Sequence, residues 1–124
     1  MPYINLKTNL VNIEEKKEEL LDLILSSTKN ILRKDEKVTS VLIENILSEW
    51  FINKEDSVTF FLEIKITKDT NTKEEKKEYI KRIFQGIEKL EQNINKASYV
   101  IITEVEADSW GYDGITQEQR YKKN

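Results

Sequence analysis

Glu14-Glu15-Lys16-Lys17-Glu18 returns as Glu74-Glu75-Lys76-Lys77-Glu78, sixty positions further along the chain. Kept without a gap, that spacing also pairs Ile4 with Ile64, Lys29 with Lys89, Glu44 with Glu104 and Trp50 with Trp110. Similar residues fall into the same frame: Leu6 with Ile66, Leu20 with Ile80, Ile24 with Phe84, and Val41 and Leu42 with Ile101 and Ile102. A helix start, a strand and a Trp repeated in one frame identify an internal duplication. The 124 residues therefore read as one domain with copies at 1–60 and 61–120.

Each copy reads strand, helix, strand. Tyr3 to Thr8 and Val58 to Thr67 alternate with period two. In the latter, Val58, Phe60, Leu62, Ile64 and Ile66 take one face and Phe61, Glu63 and Lys65 the other. Ile13 to Leu32 reads as a helix with a stripe of Leu20, Leu21, Ile24, Thr28 and Ile31. Thr72 to Ile94 is the second helix, with Ile80, Ile83, Phe84, Ile87, Leu90 and Ile94 along its stripe. Asn12 and Thr72 suit the helix starts, and the glutamates after them suit the positive end of the helix dipole. The EEKKE runs are thus solvated first turns. Val38 to Ile46 and Ser98 to Val105 close the units as strands.

A strand joined to the next by a full-length helix implies a parallel, right-handed crossover. Two such units predict an α+β domain, a four-stranded sheet with both helices on one face. The strands read as apolar on both sides, so Phe61, Ile43, Tyr99 or their neighbours are expected to leave the second face uncovered. Self-association is the simplest cover.

Composition removes several classes of chemistry. Hydrophobic residues are 38% and charged residues 35% of the chain, with Cys 0 and His 0. That excludes disulfides, a thiol nucleophile, a Ser-His-Asp triad and a His/Cys metal site. No Asp-rich calcium loop is present, and no metal is expected. The net charge is -3 with Lys and Glu interspersed, so no basic face addresses nucleic acid. Arg120-Tyr121-Lys122-Lys123 reads as a solvated tail. No apolar run has the length of a membrane span and no secretion signal opens the chain, so the expectation is a cytoplasmic protein without membrane contact.

Two further stretches carry a resemblance: Met1-Pro2-Tyr3-Ile4-Asn5-Leu6 at the start, and Val100-Ile101-Ile102-Thr103-Glu104 followed by Trp110-Gly111-Tyr112-Asp113-Gly114. With the duplication, they resemble the tautomerase superfamily over nearly the whole chain. The single-unit 4-oxalocrotonate tautomerases are about half this length. The doubled chain is similar to the fused members, namely the cis-3-chloroacrylic acid dehalogenase, malonate semialdehyde decarboxylase and macrophage migration inhibitory factor branches. The resemblance implies a tautomerase-type fold, a homotrimer, and a pocket between subunits with an amino-terminal proline at its mouth.

Once Met1 is removed, Pro2 is a secondary amine on a rigid ring. An ordinary α-amino group titrates near about 7.7–8.0, and partial burial beside cations lowers it. Such an amine takes up a proton at neutral pH, as general base catalysis requires. Its counterpart Leu62 is internal and carries an amide, so each chain has one such base.

The resemblance also implies cations for a carboxylate substrate. The single-unit members' helix-start arginine falls on Asn12 and Asn71 and is lost. Lys68 falls close to a helix-start arginine of the fused dehalogenases, and Lys34 lies where the migration inhibitory factor branch has a pocket lysine. Each also reads as an ordinary surface cation, Lys34 as one stabilising the end of helix one. Tyr99 matches the strand arginine and is either a substrate-orienting phenol or core filler. Trp110 replaces a pocket-lining aromatic, and Trp50 reads as interface or core. Arg33, Lys7 and Arg120 are reserve cations. Gly111 and Gly114 signal a turn, not a phosphate loop.

The activity implied is a cofactor-independent tautomerase, an isomerase moving a proton between enol and keto forms of a 2-keto acid. Pro2 is the base, Lys68 or Lys34 holds the carboxylate, and Tyr99 or a backbone amide steadies the enolate. Dehalogenation, hydration or decarboxylation on the same base stays open, with Glu118 or Asp113 to activate water. A non-catalytic binding member, or a ferredoxin-like ligand-binding module, is the alternative outside catalysis.

Overall fold

In a computed structural model, residues 2–47 and 57–122 are described. Trp50 lies outside them. The chain runs β1 (Tyr3–Thr8), α1 (Ile13–Asn30), β2 (Ser40–Asn45), β3 (Phe60–Thr67), α2 (Lys73–Leu90) and β4 (Tyr99–Val105). It ends in a small hairpin, β5 (Gly111–Tyr112) and β6 (Ile115–Thr116), and a short helix, α3 (Gln117–Lys122). The sheet order is β2-β1-β3-β4. β1 and β2 are parallel, as are β3 and β4, and β1 meets β3 antiparallel. This is the α+β architecture expected of two β-α-β units.

The core lies between the sheet and the two helices. Ile4, Leu6, Phe60, Leu62, Ile64 and Ile66 face Leu20, Ile24, Tyr79, Ile83 and Ile87, all buried. Each such side chain removed from water contributes about 1.5–3 kcal/mol before the entropy of ordering is subtracted. Thr72 caps α2 through a full capping box with Glu75. Asn12 makes no side-chain cap bond.

Several expected boundaries and faces move. α1 stops at Asn30 and α2 at Leu90, short of Leu32 and Ile94. Beyond α2 the chain turns back: Val58 N–H donates to the Asn93 carbonyl (2.9 Å), and Asn95 N–H to that of Val58 (2.8 Å). Helix continuation would forfeit that bridge. β2 begins at Ser40 rather than Val38, because Asp35 accepts from Lys37 N–H and caps a 3-10 turn at Glu36–Val38. In α2 the buried aromatic is Tyr79, while Ile80 is exposed. Tyr79 is favoured inside because its hydroxyl reaches that of Thr28 at 2.9 Å. Thr28 donates its own proton to the Ile24 carbonyl (2.7 Å), so Tyr79 is the donor to it.

The gapless frame also fails at the last strand. Ile4 pairs with Val41, but Ile64 pairs with Ile102, not Ile101. Val41 and Ile102 both pack against the core, whereas Ile101 is exposed. A one-residue slip exchanges the faces of a strand, so burial selects the shifted frame.

The second sheet face keeps part of the apolar surface expected, at Tyr99 and at Leu42 beside Ile43, and is polar along the central strands. Ile43 packs against the core instead. The central strands present Asn5, Lys7, Glu63 and Lys65 to the other side, and these satisfy one another. Asn5 donates to Glu44 (3.0 Å), Lys7 to Asn5, and Thr103 to Glu63 (2.8 Å). The Thr103 hydroxyl is the main reason the Glu63 carboxyl titrates below its ordinary value. Exposed apolar surface remains at Tyr3, Leu42, Tyr99 and Ile101. None of the described helices is long and apolar enough to cross a membrane.

Candidate active site

The topology gathers loops at one end of the sheet. β1 and β2 begin there, and β3 and β4 end there. Pro2 is buried at this end. Its carbonyl accepts from Ser40 N–H at 3.1 Å. A cavity of about 390 Å³ opens beside it, lined by Pro2, Tyr3, Lys37, Val38, Thr39, Ser40, Gly111 and Tyr112.

The far wall is the terminal hairpin. Asp113 and Gly114 both have positive φ (56° and 73°), as a two-residue I′-type turn requires. At Gly111 a Cβ would lie 2.0 Å from the Ile115 carbonyl oxygen, so only glycine closes the pair. Trp110 Nε1 donates to the Thr67 hydroxyl (3.0 Å), fastening the hairpin to β3. Arg120 stacks over the Tyr112 ring (3.8 Å to the centroid) and donates to the Tyr112 carbonyl at 2.7 Å. Thr116 and Gln119 form reciprocal bonds that cap α3 beneath it.

The expected cations divide. Lys34 donates to the Thr70 hydroxyl (2.8 Å), and burial, then the Arg33 charge, lowers its pKa. Lys68 pairs with Glu106 (3.1 Å), which raises its pKa. Arg33 pairs with Glu75 (2.8 Å). All three sit at Pro2's end of the sheet, but none lines the cavity. Lys7 lies at the opposite end, level with Phe61. The cation that does line the cavity is Lys37, which the repeat and the motifs left unmarked. Only its place between the 3-10 turn and β2 could have suggested it.

Trp110 adjoins the cavity through Gly111. Tyr99 does not approach it. Tyr3 is level with Lys65 and Thr103, and Tyr99 lies four residues back along β4. That is about 13 Å along the strand and two strands across. Glu118 pairs with Lys122 (3.6 Å), and neither it nor Asp113 lines the cavity. Among the described residues no group of three acidic side chains is placed to hold a metal ion.

The arrangement is a four-stranded β-α-β pair with a proline at the wall of a loop-built cavity. Its solved neighbours are proteins of the tautomerase superfamily. A fused 4-OT described as an asymmetric trimer is 12% identical with a TM-score of 0.81, covering 94% of this chain and 96% of its own. Pt0534, solved after inactivation by 2-oxo-3-pentynoate, gives 12%, 0.80, and 94% and 96% coverage. A macrophage migration inhibitory factor-like protein of Entamoeba histolytica gives 19%, 0.74, and 93% and 97%. At these identities the likeness is one of fold, and the chain has the tautomerase-type fold. No protein-family model and no curated protein sequence matches it.

Proposed function

We propose that the protein is a cofactor-independent tautomerase of small 2-keto acids with Pro2, freed of Met1, as general base. The observation that carries this is the burial of Pro2 at the wall of the cavity, inside a fold shared with known tautomerases. The amine takes a proton from the enol or from the carbon beside the carbonyl and returns it at the other site. Burial disfavours the charged ammonium and so favours the free base that general base catalysis uses.

A homotrimer completes the reading, in line with the trimeric fused 4-OT. Tyr99 is too far from its own chain's Pro2 to touch a shared substrate, so it acts, if at all, on the cavity of another copy. Light scattering should then return about three times 14.7 kDa. The catalytic test uses two variants, one with a residue retained before Pro2 and one with Pro2→Ala. The retained residue turns the amine into an amide and should abolish enol–keto conversion of a phenylpyruvate-type acid. Pro2→Ala keeps a primary amine and should retain a fraction of the rate with a displaced pH profile. An extended variant as active as the processed chain would end this reading.

A further inference from the structure

The hairpin that walls the Pro2 cavity is a thin strap. Gly111 and Tyr112 face that cavity of about 390 Å³. Behind the strap lies a second cavity of about 290 Å³, bordered by Trp110, Gly111, Gly114 and Ile115. Gly111 borders both, so there is open space on either side. The hydrogen bonds of this terminal segment run inward. Gln117 N–H donates to the Trp110 carbonyl (3.0 Å), Glu118 N–H to that of Ala107 (2.9 Å), and Arg120 to that of Tyr112. Among the described residues, one hydrogen bond joins residues 107–122 to the four-stranded sheet, from the Trp110 indole to the Thr67 hydroxyl.

Thr67 is a firm anchor for that bond. It closes β3 two residues beyond Lys65, the partner of Tyr3, and it is buried. Its carbonyl accepts from the Thr70 hydroxyl (2.6 Å), which itself accepts from Lys34 Nζ (2.8 Å). An ammonium has only protons to give, so Lys34 takes a lone pair of Thr70 and leaves that hydroxyl's proton for Thr67. The anchor is thus braced from behind by the segment that follows α1.

Resting on the reading of Pro2 as the reactive amine, we infer that Thr67 is a positioning residue for the site. Its hydroxyl latches the hairpin through Trp110 and so holds Tyr112 as the wall against which a 2-keto acid packs beside Pro2. Thr67 itself does not line the cavity. Releasing the latch frees the strap to swing into the space behind it, which removes the wall and leaves the amine untouched. The signature is therefore weaker binding with little change in the chemical step.

Three variants test this: Thr67→Val keeps the shape and removes the acceptor, Thr67→Ser restores it, and Trp110→Phe removes the donor. The probe is 2-oxobutanoate, titrated into the full-length protein while backbone amide shifts of Ser40 and Tyr112, on opposite walls, are followed. One neutral hydrogen bond corresponds to roughly fivefold in an equilibrium constant. Thr67→Val should weaken half-saturation by that factor, Thr67→Ser should recover it, and Trp110→Phe should add little in the Thr67→Val background. In enol–keto conversion KM should rise while kcat holds. The inference is overturned if Thr67→Val binds as the parent does, if Thr67→Ser fails to restore binding, or if the loss falls on kcat alone. It is also overturned if the parent shows no saturable shift at these amides. Should Thr67→Val fold poorly, Trp110→Phe makes the same test from the other end, and parent-like binding there overturns the inference equally. The amine reading is scored separately by the variant that retains a residue before Pro2. If that variant is as active as the processed chain while Thr67→Val still loosens 2-oxobutanoate, the amine reading falls and the latch stands.

Discussion

Ile4 lies directly across the antiparallel pair from Ile64, its own counterpart in the duplicated sequence. The pseudo-twofold relating the two units therefore passes between these two side chains, both fully buried. Leu62, the counterpart of Pro2, sits opposite Leu6 inside the core. The symmetry of the fold is thus broken chemically at this position. One unit offers a proline at the rim, the other a leucine in the interior.

Truncating either isoleucine at this axis should be costly. Ile4→Ala and Ile64→Ala are each expected to lose about 2–5 kcal/mol in urea denaturation. The double variant should depart from additivity, because the two side chains share one cavity. Additive losses would mean that the side chains do not share packing partners.

Tyr79 links the helices through Thr28, and burial raises its pKa to about 12. The unfolded phenol ionises near 10.0. Its contribution is therefore complete below that pH and is lost as the pH climbs through about 12. Tyr79→Phe should cost about 1 kcal/mol at neutral pH and flatten the alkaline fall in stability. An unchanged alkaline limb would show that other groups control it.

Glu75 behaves in the opposite sense. The Arg33 guanidinium, Thr72 N–H and the Asn71 amide all donate to it, holding its pKa at about 2 against 4.5. Its stabilising effect is present above 4.5 and is lost as the pH falls through about 2. Glu75→Gln should reduce the dependence of the urea midpoint on pH across this window. Equal slopes in parent and variant would contradict the assignment.

The hairpin supplies a test of the cavity wall. Gly111→Ala places a methyl group against the Ile115 carbonyl and should displace Tyr112, with weaker binding of 2-oxobutanoate. Gly114→Ala has open space but a φ of 73°, costing about 1–2 kcal/mol locally. If the two variants bind alike, steric closure at Gly111 does not shape the wall.

Arg120→Gln removes the stack over Tyr112 while leaving a group able to donate to its carbonyl. The Tyr112 amide resonance should shift and half-saturation should rise severalfold, with the melting temperature little changed. A fall in melting temperature with binding intact would make Arg120 a purely structural clamp.

The order of the four main strands and two long helices, the two units and the inward face of β3 were legible because they rest on local periodicity. Pro2 was legible as a candidate through its position beside Met1, and the turn near the end of the chain through Gly111 and Gly114. Lys37 was not. Its place at the cavity depends on a 3-10 turn capped by Asp35 and on a hairpin more than seventy residues away in sequence. The expected roles of Lys34 and Lys68 rested on alignment to other proteins, and alignment carries no information about Thr70 or Glu106 as competing partners.

By itself the sequence determined which residues must leave water, where helices begin, and that one chain holds two similar units. These follow from side-chain periodicity and caps, which act within a few residues. Tertiary structure decided the register of β4, the choice of Tyr79 over Ile80, and the polar settlement of the outer sheet face. It also decided which lysine faces Pro2. Each of these turns on a distant partner: the core beneath Ile102, the hydroxyl of Thr28, the amide of Asn5, the cavity between two loops. A charged side chain is committed by whichever opposite group the fold brings within reach. Only the folded chain determines that choice.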